Sequence, residues 1–258
     1  MKTSIVTTRL FGENIYIIWD ETTLEAAIID PGMMDENERQ EVEDVVKQEN
    51  LSVKYVLLTH SHIDHACSAR WTAEKFGAQV YGSKNDDMLA QSLTGQATMF
   101  HLRISPQPLT IDHDLKQGDE LTLGNDKIQV LATPGHTEGG LTYYIPQEGV
   151  AFVGDTIFQH SVGRTDLPGG NMHTLTESIK SRLFVLPGET ILAPGHGPTT
   201  TVEDERLGNP FVWPIWDKRQ FTTCRSLQFL AGLIVATTYS EFVPMRNFPP
   251  QIPMPELI

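Results

Sequence analysis

Four metal-competent side chains crowd six consecutive residues of the stretch Thr59-His60-Ser61-His62-Ile63-Asp64-His65, which directly follows the apolar run Tyr55-Val56-Leu57-Leu58. On a regular strand His60, His62 and Asp64 would share one face while His65 pointed away. All four converge only where the backbone changes direction from residue to residue, so the fold must open a strand end into a strand-to-helix turn. The same turn lets the neighbours Asp64 and His65 serve a different ion from His60 and His62. Two adjacent metal positions are the natural reading.

Three more ligand candidates each lie at the carboxyl end of a predicted strand, inside a glycine-bearing turn. They are His136 in Thr133-Pro134-Gly135-His136-Thr137, Asp155 in Phe152-Val153-Gly154-Asp155-Thr156, and His196 in Ala193-Pro194-Gly195-His196-Gly197. A glycine before each ligand permits the sharp turn and close backbone approach that a crowded site needs. Imidazole and carboxylate donors without a thiolate suit zinc, iron or manganese and leave positions for water and substrate, as in a catalytic centre. His101, His113, His160 and His173 lack such settings and read as ordinary histidines; Cys67 reads as a small packed side chain.

Around these motifs, blocks of strand and helix alternate. Ile15–Trp19 and Ala26–Ile29 form a hairpin closed by Asp30-Pro31-Gly32. Asp35 followed by Glu38 marks a helix start, and Val42, Val45 and Val46 fall at helical spacing after it. Strand returns at Lys54–Thr59, a helix runs from Ala66 to Phe76 and ends at Gly77, and a shorter helix covers Lys84–Ser92. The segment Leu93–Gln107 shows no period and reads as loop. Hairpins follow across Gly124-Asn125-Asp126 and from Leu141–Ile145 to Val150–Val153, then a last helix at His173–Leu183 and a strand at Thr190–Ala193. This order suggests two sheets sandwiched between helical layers.

Composition narrows the function. Of 258 residues, 40% are hydrophobic and 20% charged, as in ordinary globular proteins; 19 Lys and Arg against 33 Asp and Glu leave a net charge of -14. Such a surface repels phosphate backbones and anionic lipid heads, so neither nucleic acid nor membrane is an expected partner. The start of the chain has no apolar signal-peptide core, and Cys67 and Cys224 do not make a disulfide framework; a reducing, cytoplasmic setting is expected. The longest apolar stretch, Phe229–Ala236, is far short of the roughly 20 residues that cross a bilayer. Residues 212–258 differ in texture, holding six of the sixteen prolines and a near-neutral charge. They read as a C-terminal extension whose aromatic residues pack on the body or on a second subunit, making a homo-oligomer.

Taken together, Thr-His-x-His-x-Asp-His, Pro-Gly-His-Thr, Gly-Asp-Thr and Pro-Gly-His-Gly resemble the motifs of the metallo-β-lactamase superfamily, in particular its glyoxalase II (hydroxyacylglutathione hydrolase) branch. The resemblance covers residues 1–211, and Glu205-Arg206-Leu207-Gly208-Asn209-Pro210-Phe211 resembles the end of short bacterial members. It implies an α/β architecture of four layers, the αββα sandwich, with the site at one edge of the sheets. It also implies that His60, His62 and His136 hold one divalent ion, that Asp64, His65 and His196 hold the second, and that Asp155 bridges them. Zinc is the expected metal, with iron or manganese as alternatives.

Two ions about 3.5–4 Å apart lower the pKa of a shared water and make a hydroxide nucleophile for a small-molecule thioester such as S-lactoylglutathione. Asp64 would also orient that nucleophile as a catalytic residue, and Asp30 would hold a ligand imidazole or simply serve the turn. Arg164, in the loop Gly163-Arg164-Thr165-Asp166, would grip a substrate carboxylate or else pair with Asp166. Longer glyoxalase II enzymes carry a lysine and a tyrosine in this loop and a basic C-terminal domain that this chain lacks. Persulfide dioxygenases are similar too, sharing a Gly-Arg-Thr-Asp loop but using one iron, here on His60, His136 and Asp155. Lactone hydrolysis by the same logic is a further alternative.

Overall fold

The structure, a computed structural model, describes residues 1–212. The division into a body of 1–211 and an extension of 212–258 therefore leaves all but Val212 of the extension outside the described residues. Val212 itself is buried in one cluster with Leu175, Ile179 and Val202.

Two six-stranded sheets make the frame. The first contains β1 (Lys2–Thr7), β2 (Asn14–Trp19), β3 (Glu25–Ile29), β4 (Ser52–Leu57), β5 (Gln79–Gly82) and β6 (His113–Asp114), in that spatial order. It is antiparallel from β1 to β3 and parallel from β3 to β6. Its helices are α1 (Glu36–Gln48), α2 (Ile63–Ala66), α3 (Ala69–Phe76), α4 (Asp87–Gln91) and α5 (Leu93–Met99). The second half brings β7 (Glu120–Leu123), β8 (Asp126–Ala132), β9 (Leu141–Ile145) and β10 (Val150–Gly154), then a short ribbon of β11 (Ile157–Phe158) and β12 (Ser161–Val162). After α6 (Met172–Ser178) come β13 (Ile191–Pro194), β14 (Thr200–Thr201) and α7 (Val202–Gly208). The second sheet has the order β14-β13-β10-β9-β8-β7, and β10 with β13 is its parallel pair.

The burial pattern explains the layering. Every residue of β2 is buried, because Ile15, Ile17 and Trp19 pack with Val42 and Val46 of α1 while Tyr16 and Ile18 face the second sheet. A strand covered on both faces reads as a continuous apolar run. In β10, Phe152 enters the space between the sheets, where it meets Tyr16 edge-on at 4.9 Å, and Ala151 and Val153 face Leu175, Ile179 and Leu183. The result is the expected helix-sheet-sheet-helix stack of the αββα type.

Several elements depart from the sequence reading. The predicted helix from Ala66 to Phe76 is two helices, because the loop after β3 captures the backbone at Ser68: its N–H donates to Pro31 O (3.1 Å) and its hydroxyl to Met33 O (2.6 Å). Gly77 ends α3 at φ 68, as expected. The supposed loop Leu93–Gln107 contains α5; Gly95 and two threonines hide its helical pattern, but Leu93, Gln96 and Ala97 are buried by packing. Sequence reading also missed β1, a mostly exposed edge strand, and α7, capped by Thr201. Asp35 does cap α1 by accepting from Glu38 N–H at 2.9 Å. The buried Glu38 carboxylate instead accepts from the N–H groups of Met34 and Arg9, both at 2.7 Å, tying the turn between β1 and β2 to α1. Among the described residues no helix is long and apolar enough to cross a membrane.

Candidate metal centre

The parallel pairs β3/β4 and β10/β13 end on the same edge of the sandwich, and the candidate ligands follow those ends. Asp30 leaves β3, His60 to His65 follow β4 into α2, and Asp155 and His196 follow β10 and β13; His136 comes from the turn after β8. Close approach is literal at two glycines. A Cβ on Gly154, at φ 50, would lie 2.2 Å from Thr59 Oγ1, and one on Gly195 would lie 2.5 Å from Asp155 Oδ1.

All seven sequence-predicted ligands come together. His62 Nδ1 and His60 Nε2 lie 2.9 and 3.2 Å from His136 Nε2. In a second group, His196 Nε2 is 3.3 Å from both His65 Nε2 and Asp64 Oδ2. Within each group the ligand atoms all lie within 4.8 Å of one another. The Asp155 carboxylate reaches both, with Oδ2 3.7 Å from His136 Nε2 and 3.6 Å from His196 Nε2, and Oδ1 3.4 Å from His65 Nε2.

The outer Nδ1 atoms of His60, His65, His136 and His196 are tied down, while His62 turns its Nδ1 inward. His60 Nδ1 meets Thr59 Oγ1 (3.1 Å), which itself donates to Asp30 Oδ2 (2.6 Å); the same Asp30 oxygen accepts from His65 Nδ1 (3.0 Å). His136 Nδ1 donates to Arg164 O (2.7 Å) and His196 Nδ1 to Phe11 O (3.2 Å). These bonds orient each Nε2 toward the centre, the arrangement that holds metal-ligating histidines.

The electrostatics call for cations. Burial and neighbouring imidazoles push His60 far down and His62 down to about 4, so both rings are neutral, the ligating form. Burial also disfavours charge on His65, but the carboxylates of Asp155 and Asp64 outweigh it and raise that ring well above its ordinary range. Asp155 Oδ1 is buried with no hydrogen-bonding partner. Acceptor nitrogens aimed at each other across about 3 Å and an orphaned carboxylate oxygen fit divalent ions, which would neutralise both.

Three residues that sequence reasoning missed hold the centre, and a fourth, Glu13, lies buried beside it. Asp86, 2% exposed, accepts from Ser61 N–H (3.1 Å), Thr137 Oγ1 (2.9 Å) and Gly139 N–H (2.7 Å), joining the two ligand turns. Gln96 of α5 bonds both Ile63 N–H and Ser61 O. Asn14 clamps the His196 turn through Pro194 O and Gly197 O. Glu13, fully buried with neither carboxylate oxygen partnered, is pushed well above the usual carboxyl range by burial and by Asp30, Asp64 and Asp155, against the pull of His65. No local pattern marks Asp86, Gln96 and Asn14 as supports, because the ligand-turn groups they bond lie elsewhere in the chain.

Arg164 forks onto Asp166, Nε to Oδ1 at 2.7 Å and Nη2 to Oδ2 at 2.8 Å, and holds the Asp166 carboxyl down at about 2. His113 stacks on Tyr81 at 4.2 Å, and the His160 N–H binds the buried Glu205, which also takes Thr200 and Asn209. That pin gives the Glu205–Asn209 segment a structural role. Cys67 packs under Met33 O, and burial pushes its thiol up.

A sequence model of the metallo-beta-lactamase superfamily matches residues 8–196. Hydroxyacylglutathione hydrolase GloC of Haemophilus influenzae is 37% identical over 213 residues, covering 82% of this chain and 98% of that protein. The crystal structure of TTHA1623 in a di-iron-bound form superposes with a TM-score of 0.71 at 36% identity, over 81% of this chain and 99% of the other. ETHE1 from Myxococcus xanthus superposes with a TM-score of 0.68 at 29% identity, over 81% of this chain and 84% of the other.

Proposed function

Because the chain belongs to the metallo-beta-lactamase superfamily, we propose that it is a metal-dependent hydrolase of thioesters, S-lactoylglutathione among the candidate substrates. One observation carries the reading: a second complete donor set, Asp64, His65 and His196, beside His60, His62 and His136, with Asp155 within 3.7 Å of both. One ion needs only one of these sets. In this reading His60, His62 and His136 would hold one divalent ion, Asp64, His65 and His196 another, and Asp155 would serve both; zinc suits the donors, as do iron and manganese.

Bound there, the ions supply an activated water and a Lewis acid for the substrate carbonyl. The chain does the rest. Asp64, its side chain 17% exposed, would accept a hydrogen bond from the attacking water and orient it toward the carbonyl carbon. Asp30, Arg164 O and Phe11 O keep His65, His136 and His196 in their ligating orientations. The thiolate is a good leaving group and departs without a strong general acid.

A single-iron dioxygenase on His60, His136 and Asp155 is the second reading, favoured by the likeness to ETHE1. Metal analysis of the purified protein, with thiol release from a thioester and oxygen uptake on glutathione persulfide measured side by side, separates them. Two ions and thiol release are expected; one iron with oxygen uptake overturns the hydrolase. Arg164 would take a substrate carboxylate only where that carboxylate displaced Asp166. If it binds substrate, Arg164→Ala lowers kcat/KM for acidic thioesters alone by about 1.5–3 kcal/mol. Equal loss on neutral thioesters would make it a support for the loop and for His136.

A further inference from the structure

We propose that the mouth of the centre selects a thioester with an apolar group flanking its carbonyl, an aromatic or long aliphatic one, through Phe11, Phe100 and Phe158. The inference rests on the thioesterase reading and names its substrate class. The centre opens on one side: the His196 side chain is 26% exposed and Asp64 17%, whereas His65 is 0% and His136 6% exposed. His196 and Asp64 are the most exposed of the candidate ligands and mark that side.

Aromatic rings stand around that opening. Phe11 O accepts from His196 Nδ1, which fixes the Phe11 backbone beside the imidazole. Its ring meets Phe100 edge-on at 6.3 Å, and Phe100 caps α5, the helix that Gln96 bonds to the Ser61–Ile63 turn. Phe158, on the β11 ribbon, lies edge-on to His196 at 6.2 Å. All three are half-buried, so each keeps ring surface for a ligand. The turn carrying Phe11 is held by Gly12 N–H to Thr8 O, Thr8 N–H to Glu13 O and Arg9 N–H to Glu38, which gives the ring a fixed seat.

Charge points the same way. Arg9, beside Phe11 in sequence, is paired with Glu41, and Arg164 is forked onto Asp166. The carboxylates of an acidic thiol or acyl group would have to break those pairs, while an apolar group gains ring contact without that cost.

The test uses the full-length, metal-loaded protein and two series of thioesters. One varies the acyl group (acetyl, phenylacetyl, succinyl) on N-acetylcysteamine; the other varies the thiol (ethanethiol, benzyl mercaptan, mercaptosuccinate) under an acetyl group. In at least one series the aromatic member should exceed the small neutral one by about tenfold or more in kcat/KM and the acidic one should trail, the scale on which apolar pockets discriminate. Phe158→Ala and Phe11→Ala should shrink that ratio severalfold with metal content unchanged. Calorimetry with the matching non-hydrolysable thioethers gives a readout independent of turnover. Flat or acid-preferring profiles, or variants that lower all members equally, overturn the proposal while leaving the hydrolase reading intact. If no thioester is cleaved yet the aromatic thioether binds tighter and Phe158→Ala removes the difference, the selective mouth stands and the thioesterase reading falls.

Discussion

His60, His62 and His136 make a closed set of imidazoles, none more than 8% exposed, whereas Asp64, His65 and His196 mix a carboxylate with imidazoles and leave the His196 side chain 26% exposed. Both sets draw on the same turn after β4, yet burial and neighbours push the first set's His60 and His62 below their ordinary pKa and Asp64 and Asp155 lift His65 in the second. The difference teaches that two adjacent donor sets drawn from one turn can differ in charge and exposure, so that on the proposed reading they would hold like ions with unlike strength. The inner set offers neutral rings in a sealed pocket, and the outer set offers charge at a surface that substrate and protons can reach.

The comparison breaks most completely at Asp155, the one carboxylate that serves both sets. Asp155→Ala should empty both, leaving less than one ion per chain by elemental analysis and lowering hydrolysis at least about a thousandfold. Retention of two ions would show that the sets do not depend on a bridge. His196→Ala should remove the outer ion alone, halving metal content and lowering kcat/KM on the order of a hundredfold. Full activity with a single iron in that variant would instead favour the dioxygenase.

Asp86 sharpens the comparison from behind the inner set. Asp86→Ala strands the N–H groups of Ser61 and Gly139 and the Thr137 hydroxyl, at about 1–3 kcal/mol for each buried group left unpaired. Its inner ion should bind about 10–100-fold more weakly, the usual effect of removing a group that positions ligands. Denaturation curves and chelator competition read the two effects, and Asp86→Asn, which keeps an acceptor oxygen, should recover part of each. The smallest effect is expected from pH. His65 and His196 bind protons more readily than free imidazole and His60 and His62 less so, so a falling pH adds a competitor at the outer set first. Between pH 7 and 5 the outer ion should leave before the inner one, followed by metal analysis after dialysis. Loss of both together would mean that the sets titrate as one.

Particular residues show how far the sequence could be read. The ligand motif was legible because four donors lie within one short turn and each remaining donor follows a predicted strand in a glycine-bearing turn. The layers were legible because runs such as Ile15–Trp19 and Phe152–Gly154 are apolar at every position, as strands covered on both faces must be. Helix α5 was not, since Gly95, Thr94 and Thr98 contradict its local propensity and only burial of Leu93 and Ala97 keeps it helical. The break at Ser68 was hidden for the same reason: the groups that cause it, Pro31 O and Met33 O, come from another loop.

By itself, then, the sequence determined the donor chemistry, the split of the motif between two donor groups and the strand-rich frame, because each depends on residue type and short spacing. Only the tertiary structure decided that Asp155 reaches both sets, that Arg164 is held by Asp166, that Asp86 joins the two ligand turns, and that Phe158 lies edge-on to His196. Those contacts link residues up to 185 positions apart, as His196 and Phe11 are. Chain connectivity carries no energetic record of such pairs; they form when sheets stack and bury apolar faces, and polar side chains then take whichever partners that packing brings within reach.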